Sequence, residues 1–178
     1  MNEFSRVYGE ALFELSNDES RDEAILMQVR AVDGILKGEP QYARLISARS
    51  LPLAQRISLL DEAFGSRVDG YLLNFLKLLC ERGALDQVHG CAEVYQARYN
   101  EVHNIVPVTV FTAVPLDEDR RARLTEALER KTGKTVELTE KVDPELRGGI
   151  RCEMAGKRLD NSILTKMDSL RRSLSKKS

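Results

Sequence analysis

The side chains best suited to chemistry are three cysteines and a histidine. His89 and Cys91 lie two residues apart, with Cys80 nearby in the chain and Cys152 far along it. These types hold zinc, or pair a thiolate nucleophile with its base. Positions two apart on a helix point to different faces, however, and no fourth ligand is spaced to match. No glycine-flanked, strained turn presents any of the thiols. The cysteines are odd in number and lack a C-x-x-C spacing, which predicts core thiols in a reducing compartment and a surface histidine. Lys131-Thr132-Gly133-Lys134-Thr135 ends like a phosphate-binding loop, but the earlier glycine of that motif falls at Leu128. A helix precedes and a strand follows, the reverse of the required order, so Gly133 reads as a helix C-cap. Asp117-Glu118-Asp119 at a helix start, and Arg171, Arg172, Lys176 and Lys177 at a helix end, stand where the helix dipole favours them.

The composition points away from other classes. Of 178 residues 42% are hydrophobic and 31% charged, with a net charge of −1 from 27 basic and 28 acidic side chains. A nucleic-acid binder would carry a basic excess or stripe. Met1-Asn2-Glu3-Phe4-Ser5 has no basic region followed by an apolar core, so no secretory signal is read. The longest apolar run, Tyr71 to Cys80, is broken by Asn74 and Lys77 and falls far short of the roughly 20 residues that span a bilayer. The expectation is a soluble chain.

The elements come in two parts. Phe4, Val7, Tyr8, Ala11, Leu12 and Leu15 recur at helical spacing, ended by Ser16-Asn17-Asp18. Ser20-Arg21-Asp22-Glu23 has capping-box spacing before a second stripe of Ile25, Val29, Val32 and Leu36. A short helix is expected around Gln41 to Ser47. Pro52 suits the first turn of another, with Leu53, Ile57, Leu60 and Phe64 inward. Asp69 caps a fifth helix that is apolar almost all round, from Tyr71 to Leu79, and closed by Gly83. Leu85, Val88, Ala92, Tyr95, Tyr99 and Val102 mark a sixth of about five turns. The fold class is mainly α: a six-helix bundle over residues 1–104 followed by a small α/β domain over 105–178.

In that second part the period changes to two. Val106, Val108 and Val110 alternate with Ile105, Thr109 and Phe111, with Pro107 best placed on an edge strand or near a strand end. A helix carrying Leu124, Ala127 and Leu128 follows, then a strand over Thr135 to Val142 with Val136 and Leu138 on one face. After Asp143-Pro144 and Gly148-Gly149, Ile150, Cys152 and Met154 form one face of a third strand, with Arg151 and Glu153 on the other. Ala155-Gly156-Lys157 supplies a turn. Asp160, Asn161 and Ser162 cap a last helix with Ile163, Met167, Leu170 and Leu174 inward. The order is strand, helix, strand, strand, helix.

Two features exceed what folding needs. The stretch from Gly148 to Leu174 packs strand, turn and helix into a docking unit with no catalytic constellation. Tyr8, Ala11, Leu12 and Leu15 on the first helix, with Leu72, Phe75, Leu76 and Leu79 on the fifth, are more apolar positions than a small bundle requires. A groove between two such helices would accept an amphipathic helix from another chain.

Over its full length the chain resembles the F-type ATP synthase delta subunit family, to which the mitochondrial oligomycin-sensitivity-conferring protein is related. The resemblance rests on Tyr8-Gly9-Glu10-Ala11-Leu12-Phe13, Asn74-Phe75-Leu76-Lys77-Leu78-Leu79, Val108-Thr109-Val110, Gly148-Gly149-Ile150 and Asp160-Asn161-Ser162, in that order and spacing. The chain has Asp160-Asn161-Ser162 where Asp-Gly-Ser is frequent, and charged Arg151 and Glu153 where apolar residues are common. The resemblance implies a helical N-terminal domain, a smaller C-terminal one and no catalytic residue, cofactor or metal. It also implies a peripheral-stalk role on the cytoplasmic face of a bacterial inner membrane, with membrane association only through the complex. In the family the first and fifth helices hold the N-terminal helix of an alpha subunit, which carries over here to Tyr8, Ala11, Leu12, Leu15, Phe75, Leu76 and Leu79. The second domain holds the C-terminal region of the b subunits, carried over to Ile150, Met154, Ile163, Met167 and Leu170.

Overall fold

The structure, a computed structural model, describes residues 2–144, 146 and 150–154 and the backbone of 157–158. These residues are mainly helical, with a small sheet, and they divide into two compact units between Val102 and His103 rather than after Asn104.

The first unit is built from α1 (Glu3–Asp18), α2 (Asp22–Gly38), α3 (Pro40–Ser47), α4 (Leu53–Phe64), α5 (Gly70–Arg82) and α6 (Val88–Val102). Leu85–Gln87 forms a single 3-10 turn ahead of α6, so the expected five-turn helix begins one tight turn late. Asn2 caps α1 by accepting from the Ser5 amide, and Asp69 caps α5 by accepting from Tyr71. Gly83 closes α5 with φ 67°, a left-handed angle that glycine takes without strain. The expected capping box at Ser20 does not form. Ser20 itself takes φ 55° and Arg21 occupies the N-cap, making no side-chain cap. The Arg21 guanidinium reaches instead to Asp69, 2.9 Å away. Leu53, expected inward, is exposed, whereas Arg56 of the same helix is buried and donates to the Cys80 carbonyl at 3.2 Å.

The core of this unit joins Leu12, Phe13, Ile25, Val32, Ile46, Leu60, Phe64, Leu72, Leu76, Leu79 and Tyr95. Tyr95 is fully buried, and its ring meets Phe13 edge-on at 5.4 Å. Its hydroxyl donates to the Asp22 carbonyl at 2.9 Å and also contacts the Ser16 hydroxyl, which donates to the Phe13 carbonyl at 2.8 Å. One buried phenol thus ties α1, α2 and α6 together, and burial pushes its pKa up to about 12.

Helices α1 and α6 pack extensively on each other, because small residues face each other where they approach. A Cβ placed on Gly9 would lie 2.7 Å from the Cys91 carbonyl oxygen and 2.8 Å from the Val94 Cβ. One placed on Gly90 would collide with Ser5. Gly34, on the exposed face of α2, has nothing within 4 Å of such a Cβ. Alanine there keeps helical angles and restricts the unfolded chain, so Gly34→Ala is expected to stabilise the protein by about 0.5–1 kcal/mol in urea denaturation.

The second unit is a sheet in the order β2-β1-β3-β4, with α7 (Glu118–Thr132) linking the two parallel strands. β1 (Ile105–Thr112) pairs parallel with β2 (Thr135–Val142) and antiparallel with β3 (Ile150–Met154), which pairs with β4 (Lys157–Arg158). β4 was not expected. The terminal helix, with Ile163, Met167 and Leu170, lies outside the described residues, as do Gly148, Gly149, Ala155 and Gly156. β1 is central, and Pro107 sits just before its first pair with β3, Val108 with Met154. Among the described residues it has a strand on one side only, which is where a residue without an amide hydrogen is tolerated. Val108, Val110, Leu124, Leu128, Val136 and Cys152 form the core between α7 and the sheet.

Glu140 anchors the turn before α7. It accepts from the Leu116 amide at 2.7 Å and pairs with Arg121 at 2.6 Å. The Leu116 amide first, and then Arg121, hold its carboxyl below the ordinary value of 4.5. A folded-state pKa below the unfolded one gives stability that is present above the unfolded value and lost as pH falls through the folded one. Glu140→Gln is therefore expected to be less stable than the parent at pH 7. The deficit should shrink as urea midpoints are measured at pH values falling below about 4.

Candidate docking groove

The open concavity between α1 and α5 is apolar. Val7, Tyr8, Ala11, Leu12 and Leu15 form one wall, Tyr71, Asn74, Phe75 and Leu78 the other, and the space between them is about 390 Å3. Phe4 stacks on Tyr8 with ring centroids 4.1 Å apart, so the α1 wall is stiffened by its own neighbours. The start of α5 is pinned as well: the Asp69 amide donates to Gln28 of α2 at 2.6 Å, and the Arg21 guanidinium lies 6.0 Å from the Tyr71 ring centre. Val7, Leu15 and Leu78 are 49%, 45% and 37% exposed, an apolar surface the fold leaves in water.

Of the seven residues expected at this site, five line the groove: Tyr8, Ala11, Leu12, Leu15 and Phe75. Leu76 and Leu79 do not. Both are fully buried in the core with Leu72, because positions 72, 76 and 79 share the inward face of α5. Positions 71, 74, 75 and 78 share the neighbouring face, and it is these that meet α1. Val7, already part of the α1 stripe, also lines the groove, and on α5 Tyr71, Asn74 and Leu78 were missed. Their three-and-four spacing was present in the sequence, but a helix apolar all round does not reveal which stripe faces inward.

In the second unit Ile150 and Met154 are half-buried and pack against the core beneath α7. The opposite face of the sheet is polar. There the Arg151 guanidinium lies 4.1 Å from the centre of the Phe111 ring across the strand pair, with Asp143 at 3.6 Å and Glu153 at 3.5 Å. The charges at Arg151 and Glu153 are thus used within the sheet's own polar face.

The other chemistry-bearing residues are dispersed. Cys80, Cys91 and Cys152 are buried free thiols, and burial pushes Cys91 and Cys152 up to about 11, the protonated and unreactive side. His89 is half-exposed and pairs with Asp33 at 3.1 Å and Glu93 at 3.5 Å. Among the described residues no three metal-ligating side chains cluster, and no helix is long and apolar enough to cross a membrane.

The chain thus pairs a helical unit that holds an open apolar groove with a small βαβ-based sheet unit. The family model for the ATP synthase delta (OSCP) subunit matches residues 4–174. The chain belongs to that family. ATP synthase subunit delta of Desulfitobacterium hafniense is 30% identical over 168 residues, covering 94% of each chain. That of Clostridium kluyveri is 28% identical over 167 residues, covering 94% of this chain and 92% of the relative. In fold the chain is similar to one from the Toxoplasma gondii mitochondrial ATP synthase hexamer. The TM-score is 0.70 at 19% identity, covering 97% of this chain and 98% of that one.

Proposed function

We propose that this chain is a non-catalytic stator subunit of an F-type ATP synthase, joining the alpha–beta hexamer to the membrane-anchored b subunits. The observation that carries this reading is the groove between α1 and α5, where Val7, Leu15 and Leu78 stand exposed on an otherwise well-packed unit. An amphipathic helix from the alpha-subunit N-terminus lies in it, its apolar anchors spaced three and four apart. The helical unit acts as a six-helix bundle that keeps both walls at fixed separation. The second unit holds the C-terminal region of the b subunits through Ile150 and Met154 and through Ile163, Met167 and Leu170, so that the chain grips one partner at each end. It works on the cytoplasmic face of a bacterial inner membrane.

The task is mechanical. Proton flow turns the central shaft, and the hexamer must not turn with it. A clamp resists that torque through apolar burial, at about 25 cal/mol for each Å2 removed from water, concentrated in a few well-packed anchors. The test is co-purification of the tagged full-length chain from membranes of its own cell. Recovery of alpha and b subunits together supports the reading. Recovery of neither, from membranes that retain an assembled synthase, overturns it.

A further inference from the structure

We infer that the helix held in the groove is cationic along one flank, which lies against a rail of carboxylates on α1. This rests on the groove reading above and adds the chemistry of its occupant. Glu3 stands four residues before the groove residue Val7, and Glu10, Glu14 and Asp18 stand three residues after Val7, Ala11 and Leu15. Helical geometry therefore sets all four beside the α1 wall, on the side away from the core. Glu3, Glu14 and Asp18 are exposed. Among the described residues only Glu10 of the four has an ion-pair partner, Arg6 at 3.6 Å.

Beyond Glu3, which lies in the first turn where the dipole favours an acid, and the Arg6–Glu10 pair, the helix gains nothing from this arrangement. Glu10 with Glu14, and Glu14 with Asp18, are like-charged pairs four apart, each costing about 0.2–0.5 kcal/mol. Asp18 stands at the negative end of the dipole, and the last turn of α1 carries no basic residue. The acidic start of α7 has a local explanation in the dipole, as Glu3 does on α1, but Glu14 and Asp18 have none. The α5 side is mixed rather than acidic: Asn74 is neutral, the Lys77 charge is paired with Asp61 at 2.6 Å, and Glu81 and Arg82 of the last turn carry opposite charges. A partner helix with an apolar stripe and a Lys- or Arg-bearing flank relieves the repulsion on α1 and is oriented by it. The rail runs from residue 3 to residue 18, about 23 Å of helix, so the partner segment is about four turns long.

The probes are two synthetic amphipathic peptides of about 15 residues with the same leucine stripe, one flanked by lysine and the other by glutamate. Each is titrated against the full-length chain by fluorescence anisotropy. The lysine peptide is expected to bind at least about tenfold tighter near 50 mM salt, with the gap closing near 500 mM. In the Glu3→Gln, Glu10→Gln, Glu14→Gln, Asp18→Asn variant the preference should vanish while high-salt affinity is unchanged. Equal binding of the two peptides, or a preference that survives in that variant, overturns the rail and leaves the groove standing. Binding of neither peptide, with the chain folded by circular dichroism, overturns the groove reading and the rail together.

Discussion

Replacing Leu15 and Leu78 together by asparagine is expected to weaken capture of the alpha-subunit N-terminal peptide at least about 100-fold, with little change in melting temperature. Both side chains are already 45% and 37% exposed in the free chain, so the fold draws little from them. A bound helix would bury them, at about 1.5–2 kcal/mol each, and two such losses amount to about two decades in Kd. Asparagine adds the cost of an amide pressed against apolar side chains without a partner. The choice of residues decides what the experiment means. Leu79 is fully buried in the core, so Leu79→Asp would place a charge inside the unit and abolish binding by unfolding it. Calorimetric titration of the Leu15→Asn, Leu78→Asn variant, with its melting curve beside it, separates the two causes. A folded variant that binds within about threefold of the parent would show that the groove is not where the peptide sits.

The second large effect is expected from a single methyl group. Gly9→Ala should lower the stability of the helical unit by about 2 kcal/mol, although alanine is the better helix former by about 1 kcal/mol. The obstacle is the Cys91 carbonyl oxygen, 2.7 Å from where the new Cβ would stand, with the Val94 Cβ at 2.8 Å. A backbone carbonyl cannot rotate aside, so α1 must lift from α6. At about 4–8 °C per kcal/mol for a unit of this size, the melting temperature should fall by about 8–16 °C. Because the far side of α1 is a groove wall, peptide affinity should fall with it. Gly34→Ala, in the same unit, should move the melting temperature the other way. A Gly9→Ala protein as stable as its parent would mean that α1 and α6 are not in close contact at this point.

Much of this architecture was legible in the residues, and the misses have physical causes. The stripe on α1 located that helix to within a residue or two, as did the change of period at Ile105, because a long amphipathic pattern reports directly on burial. Gly9 was visible only as one residue of the stretch from Tyr8 to Phe13. Its reason, the approach of α6, lies some eighty residues away in the chain. At α5 the pattern identified a much-buried helix but not its orientation, so the core residues Leu76 and Leu79 were assigned to the groove and Leu78 was not. Ser20 shows the limit of local rules: the capping-box spacing is present, yet Arg21 is held by Asp69 and Tyr71, and the tertiary contacts take precedence. β4 consists of Lys157 and Arg158, which carry no strand signal at all.

In the proposed role, the buried Tyr95 hydroxyl readies the groove before a partner arrives. It fastens α1 to α2 and α6, so the α1 wall cannot fray or slide without breaking hydrogen bonds that have no water to replace them. The conformational entropy of ordering that wall is spent when the chain folds and is not charged again on association. A preorganised receptor of this kind leaves the incoming helix as the partner that must order, and complex lifetime is then governed by how well that helix fits rather than by rearrangement of its host.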